Sequence, residues 1–200
     1  MTDTVWASYA LLNSDLVVPF RRSNVGDPIG RVVTQDHIAG RPIDPANLPQ
    51  YAVLDKEWPE FKKFPPLFHV NEYLCVTGKM AQFLRQFDLG SAGLYPIKLI
   101  SEKDPEAYPE PFYILGLSER KQALVPEKSG PLTFLLGSYR KPIGEQDDYL
   151  ALNRNALTGP DLWTDPSIRP MFFVSQRLHD ALEKAGLTKA FKLKRCKLVD

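Results

Sequence analysis

Cysteine and histidine are scarce in this chain: Cys75 and Cys196 are the only thiols, and His37, His69 and His179 the only imidazoles, among 200 residues. The cysteines lie far apart and form no C-x-x-C pair, so they are expected to be reduced, buried thiols and neither a disulfide nor a metal site. No H-x-x-x-H, H-E-x-x-H or mixed Cys/His group occurs, and a zinc site is not expected. His37 lies in a loop-like segment, Thr34-Gln35-Asp36-His37-Ile38-Ala39-Gly40. His69, in Leu67-Phe68-His69-Val70, reads as a satisfied buried or edge imidazole. His179 stands beside Leu178 but off the apolar stripe of its helix, and reads as a solvated surface residue.

Nucleophile and phosphate motifs are missing as well. There is no G-x-S-x-G elbow and no G-x-x-x-x-G-K-[ST] loop. Gly26-Asp27-Pro28-Ile29-Gly30 is a turn-rich segment without the rest of a phosphate cradle. Glu145, Asp147 and Asp148 lack the spacing of a calcium-binding loop and read as a solvated acidic connection. No apolar run approaches the roughly 20 residues of a membrane span. The opening residues, Met1 to Trp6, carry no basic segment followed by an apolar one, so no secretory signal is expected and a cytoplasmic location is. Neither sign of charge dominates: the net charge is +1. That balance gives no bulk reason to expect nucleic acid or an anionic membrane as partner. These absences point away from an enzyme and from a cofactor.

Proline, by contrast, is abundant, with 18 residues, nearly double the usual ~5% share. It clusters at Pro42 to Pro66, Pro105 to Pro111 and Pro160 to Pro170. Each cluster precedes a run that reads as regular structure. Prolines there delimit elements and stiffen connections, because they fix φ and cannot donate to a ladder.

Comparing the chain with itself exposes a repeat. Residues 74–89 and 172–187 share one physical grammar, with Val76 and Val174, and Leu89 and Leu187, each 98 residues apart. A short apolar strand (Leu74 to Val76; Met171 to Val174) runs into a hydroxyl residue, Thr77 or Ser175, placed to cap a helix. Met80, Phe83, Leu84 and Phe87 then make one apolar stripe, and Leu178, Ala181, Leu182 and Ala185 the other. Gly90 and Gly186 are read as helix stops, and strands are expected at 94–100 and 191–199. Further strands are expected at 5–12, 16–20, 50–54 and 112–117; the run 132–136 is strand or helix. Arg140 to Gly159 reads as an exposed connection with a strand or turn at 149–152. The expected fold class is α+β: a mixed sheet with two main helices arising from a duplicated strand–helix–strand unit. The expected organisation is one domain over 1–200, with pseudo-repeated halves at about 67–117 and 160–199 and a β-rich segment over 1–60.

Lys184, Lys189, Lys192, Lys194, Arg195 and Lys197 make the C-terminus basic, opposed there only by Asp200. Their alternation with Phe191 and Leu193 fits the outer face of an edge strand, where lysines discourage aggregation. A nucleic-acid or protein adaptor using this strand is the alternative reading; an enzyme with a dispersed site is a lesser one.

The stretch Phe173-Val174-Ser175-Gln176-Arg177-Leu178, continuing to Ala185-Gly186-Leu187 and then Phe191, resembles the C-terminal signature of family eleven of the bacterial polymorphic-toxin immunity proteins. That pattern is an apolar pair, V-S-x-R-L, an amphipathic helix ending A-G-L, and a strand beginning with an aromatic residue. Val76-Thr77-Gly78-Lys79-Met80 resembles the weaker earlier copy, with Gly78 and Met80 departing from it, and Pro111 to Leu117 resembles the strand that follows. The resemblance covers about 67–117 and 160–198. It implies a cytoplasmic protein that binds a cognate toxin and neutralises it by occluding its active site or substrate path. Such occlusion needs a pre-formed surface with a few anchors, not a catalytic group. Candidate anchors, large residues poorly explained by core periodicity, are Trp58, Tyr108, Tyr139, Arg140, Tyr149 and Trp163.

Overall fold

In the computed structural model the described residues are 4–11, 13–23, 28–144 and 146–200. In chain order the first elements are β1 (Val5–Ser8), β2 (Val17–Val18), β3 (Phe20–Arg22), α1 (Pro28–Ile38) and β4 (Tyr51–Leu54). Then come β5 (Leu67–Val70), β6 (Tyr73–Thr77), α2 (Gly78–Leu84), β7 (Gly93–Ser101) and β8 (Phe112–Gly116). The middle of the chain holds β9 (Phe134–Leu135), β10 (Ser138–Arg140), β11 (Ala151–Asn153), β12 (Leu162–Trp163) and β13 (Ile168–Arg169). Last are β14 (Phe172–Ser175), α3 (Gln176–Lys184), α4 (Thr188–Phe191), β15 (Leu193–Arg195) and β16 (Lys197–Val199). The fold class is α+β, as expected.

Both strand–cap–helix segments form, and for local reasons. Thr77 Oγ1 accepts from the Met80 N–H at 3.4 Å, and Ser175 Oγ accepts from the Leu178 N–H at 3.1 Å, each satisfying a donor that its helix leaves orphaned. Gly186, at φ +69°, ends α3: its N–H donates to the Glu183 carbonyl, and the Leu187 N–H reaches back to Leu182, the bond pair of a Schellman stop. Gly90 does not play that part. Helix α2 already ends at Leu84, six residues earlier, so Phe87 lies beyond the helix.

Both segments lie in similar sheet settings. Leu67 of β5 faces Val76 of β6, and Leu162 of β12 faces Val174 of β14, both antiparallel. The Thr77 N–H donates to Pro66, and the Ser175 N–H to Asp161, the residues just before β5 and β12. In each unit the strand after the helix returns one place removed, with an antiparallel strand between: β6-β8-β7 in one, β14-β1-β15 in the other. The inserted strand comes from later in the chain in the first case and from its start in the second.

Among the described residues four sheets result, ordered β2-β5-β6-β8-β7-β4-β3, β12-β14-β1-β15, β13-β10-β9 and β11-β16. The seven-stranded sheet is curled: its two edges are β2 and β3, joined through Pro19 alone, so the edges must approach one another. Proline suits that seam because it has no N–H to offer a ladder. Alternation along the strands then feeds two cores. Phe68, Val70, Tyr73, Cys75 and Ile114 point into the curl with Phe20 and Tyr108. Leu67, Leu74, Val76 and Leu115 point outward onto Met80 and Leu84 of α2, in a cluster that also contains Phe172, Val174, Leu178 and Leu182. A third cluster lies on the far face of the four-stranded sheet around Val5, Trp163, Phe173 and Cys196.

Several expectations are corrected. His37 lies in the last turn of the helix α1, not in a loop; Pro28 opens that helix, where its missing N–H does no harm. Gly26 and Asp27 of the expected turn, and Glu145 of the acidic connection, lie outside the described residues. The expected strand at 191–199 is broken into α4, a left-handed residue at Lys192 (φ +47°), β15 and β16. The basic C-terminus is opposed by more than Asp200. Lys192 pairs with Asp15 at 2.9 Å, and Arg195 is held by Asp148 and, through its N–H, by Asp147 at 2.8 Å.

Both thiols are free and buried. Burial pushes Cys75 up to about 12 and raises Cys196 as well, so neither supplies a thiolate at neutral pH. A thiol reagent is expected to label neither in the native protein and both after unfolding, in the absence of reductant; rapid native labelling would contradict this burial.

Candidate partner-binding face

The candidate anchors separate by burial. Trp163 is fully buried, stacked on Phe173 at 4.5 Å, with Lys121 Nζ 5.0 Å from its ring centre. Tyr108 lies in the curl of the large sheet between Phe20 and Phe64, its hydroxyl accepting from the Phe61 N–H at 2.9 Å. Both are core residues, inaccessible to a partner. Sequence reasoning misplaced them because their neighbours are proline-rich connections that fold inward. Trp58 is 52% exposed, and its backbone carbonyl accepts from Lys103.

Tyr139 and Arg140 belong together on β10. The antiparallel pair β9–β10 is a tight hairpin: Leu135 faces Ser138, and Leu136 and Gly137 make the loop. Both loop residues have positive φ, +52° and +80°, the signature of a type I′ turn, whose twist matches that of the flanking strands. Tyr139 packs edge-on against Phe134 at 5.1 Å, and the Arg140 N–H donates to the Thr133 carbonyl at 2.8 Å. Tyr149 braces the approach to this hairpin: its hydroxyl donates to the Pro131 carbonyl at 2.6 Å, and its ring lies over Gly130, where any Cβ would stand only 2.6 Å away.

What the hairpin presents is apolar. Leu136 is 86% exposed, Phe134 62% and Leu135 48%. Beside it, between the hairpin and the C-terminal end of α1, lies a hollow of about 290 Å³ lined by Ile38, Ala39, Arg41, Leu135, Leu136, Arg140 and Arg169 among others. No carboxylate lines it among the described residues. Arg41 is paired with Asp36 at 2.6 Å, whereas Arg140 and Arg169 have no carboxylate partner among the described residues. Burial, and then the nearness of Arg41 and Arg120, lowers the Arg169 pKa. Val32 and Ile29 continue the exposed apolar face along α1, three and six residues before Gln35, which also lines the hollow.

Of the anchors named from the sequence, Tyr139 and Arg140 lie on this face; Phe134, Leu135, Leu136, Arg41 and Arg169, which share it, were not among them. A signal existed for the hairpin, since an apolar run ends in glycine at a two-residue spacing. None existed for the arginines, which three separate elements bring together.

The polar residues of the V-S-x-R pattern do structural work. Ser175 donates to Asp161 Oδ1 at 2.6 Å while capping α3, and Arg177 grips both oxygens of the same carboxylate. The Asp88 N–H donates to Asp161 Oδ2 at 2.9 Å, tying in the segment after α2. Burial works against ionisation of Asp161, but Arg177, Ser175 and the Asp88 N–H outweigh it and hold the carboxyl below its usual range.

The histidines are all packed. His69 is buried, as expected, and its Nε2–H donates to the Ala10 carbonyl at 3.0 Å, while Nδ1 is buried without a hydrogen-bond partner. His37 is fully buried, its Nε2 accepting from the Leu74 N–H at 3.1 Å. His179 is not a solvated residue: Trp6 of β1 stacks on it at 3.6 Å, with ring planes 5° apart. His179, Asp180 and Glu183 place potential metal-ligand atoms within 4.8 Å of one another, the one such group among the described residues. Two of these are already engaged, since Asp180 Oδ1 accepts from Gln176 at 2.5 Å and lies 3.2 Å from His179 Nδ1. No helix is long and apolar enough to cross a membrane among the described residues. Compared with known proteins, the chain matches no family model and no curated protein.

Proposed function

We propose that this chain is a neutralising binding protein, an immunity protein that docks on a cognate bacterial toxin in the cytoplasm and covers its active site or substrate path. The observation that carries this reading is the hairpin face: three consecutive apolar residues on a tight turn, flanked by Tyr139 and Arg140, with a hollow free of carboxylates among the described residues beside them. Exposed apolar groups gathered in one place mark interaction surfaces, and tyrosine and arginine are common anchors. The resemblance over 173–191 supports the reading from the sequence side. Its polar residues Ser175 and Arg177 are occupied in holding Asp161, so the motif describes the scaffold and the recognition surface lies elsewhere. In the same reading the two strand–helix–strand units are copies of one ancestor, which their matching caps and registers support.

The test is co-expression with candidate toxin domains, those of adjacent genes first, followed by calorimetry on the purified pair. A stoichiometric complex is expected, with no turnover by this chain. Tyr139→Ala and Arg140→Ala are each expected to weaken it by about 2 kcal/mol, roughly thirtyfold in affinity. Trp58→Ala, off this face, should bind like the parent. Protection that survives both hairpin substitutions but fails in Trp58→Ala would move the interface to the surface around Trp58, and a wild-type chain that neither binds nor protects would end the reading.

A further inference from the structure

Leu136 is placed where its own chain gains nothing from it. The first loop position of a type I′ hairpin demands positive φ, which suits asparagine or glycine and costs a branched L-residue steric energy. Leucine there, at φ +52° and 86% exposed, suffers that strain and buries little of its side chain in return. A Cβ built at the adjacent Gly137 would meet nothing within 4 Å, so the tip projects into open space. Strain held at an exposed apolar residue directs attention to something outside the chain.

Next to that tip, Arg140 and Arg169 face a hollow that no carboxylate lines among the described residues. Guanidinium groups so placed fit carboxylates in bidentate fashion. Resting on the neutralising reading above, we infer that the partner's receiving surface is an acidic hollow with an apolar floor: Leu136 enters it, and Arg140 and Arg169 pair with carboxylates at its rim. A phosphate backbone would satisfy the arginines equally well. The exposed Phe134 ring would take a stacked base, but a nucleic acid offers nothing to the aliphatic Leu136 that projects beyond it at the tip. A protein cleft satisfies both halves of the surface.

The experiment joins a partner-free measurement to a binding one. Leu136→Asn relieves the turn, so its melting temperature is expected to rise by a few degrees, while its affinity for the toxin domain identified by co-expression falls at least about tenfold. Arg140→Glu should slow association by about tenfold or more and abolish most of its dependence on salt. If Leu136→Asn lowers the melting temperature, the leucine serves its own fold and the inference fails, whatever the partner does. If the wild type binds the toxin but both variants bind as tightly, this inference is overturned and the neutralising reading stands; if the wild type does not bind at all, both fall. Tight, salt-sensitive binding of a single-stranded RNA or DNA oligonucleotide by the wild type, lost in Arg140→Glu, would instead assign the arginines to nucleic acid and overturn it.

Discussion

Asp165→Ala is expected to destabilise the protein by roughly 3 kcal/mol or more, which for a chain of this length lowers the melting temperature by about 10 °C. Asp165 is 1% exposed and works entirely as an acceptor. Its Oδ2 takes the N–H groups of Ala123 and Leu124, both at 2.8 Å, and its Oδ1 takes that of Ser167, also at 2.8 Å. Truncation strands three backbone donors near the core cluster that contains Ala123, Trp163 and Ile168. A buried, unpaired donor costs about 1–3 kcal/mol; the Ala123 N–H carries that cost in full, and the half-buried Leu124 and Ser167 groups, which water can reach, carry less. Asp165→Asn should cost less, since one oxygen remains to serve Ala123 and Leu124. Urea unfolding followed by circular dichroism measures both. Asp200→Ala is the control: its carboxylate pairs with Arg154 in the open, where such pairs contribute little, and no measurable change is expected. If Asp165→Ala unfolds at the wild-type urea midpoint, the three-donor account is wrong.

Acid should destabilise the chain through His37. This imidazole ordinarily titrates at 6.5, but burial, and then the nearness of His69, pull it down to about 3. Within the fold it is neutral, with Nε2 accepting from Leu74 and the proton therefore on Nδ1. Between those two values the unfolded chain binds a proton that the folded chain refuses. Stability is therefore fully present above 6.5 and falls as the pH drops through that window, by on the order of 5 kcal/mol. His69 adds to the loss in the same direction. Burial foremost, with Lys141 assisting, lowers its pKa against the opposing bond to the backbone at Ala10. The ring of Tyr73, 5.1 Å from that of His37, offers no charge to stabilise an imidazolium. In His37→Gln, an amide oxygen can still accept from Leu74 but nothing titrates, so unfolding free energy plotted against pH should lose most of its acid slope. An unchanged slope would place the acid sensitivity elsewhere. Absolute stability at neutral pH is not the readout, because glutamine fills the site differently.

Local rules alone determined a good part of this molecule. A hydroxyl residue before an apolar stripe specifies a capped helix wherever it occurs, so Thr77 with α2 and Ser175 with α3 were legible from spacing. So was the Schellman stop at Gly186, since a residue at positive φ is best supplied by glycine. Continuous apolar runs marked the strands β6 and β8, each buried on both faces, one on the inward core and one on the helix side. Gly90 was misread for the same local reason: a glycine after a helix resembles a stop even when the helix has already ended.

What only the tertiary structure decided depends on partners far away in the chain. His179 looked solvated because its cover, Trp6, arrives on a strand inserted from the other end of the chain. Trp163 and Tyr108 looked like surface anchors because the rings that cover them belong to other elements, Phe173 of β14 for the first and the distant Phe20 and Phe64 for the second. The hollow beside the hairpin exists only because the segment after α1, β10 and β13 carry Arg41, Arg140 and Arg169 to one place. Periodicity reports which face of an element is apolar; it does not say which element will cover that face. Burial and charge clustering are properties of long-range pairing, and the candidate binding face is made of both.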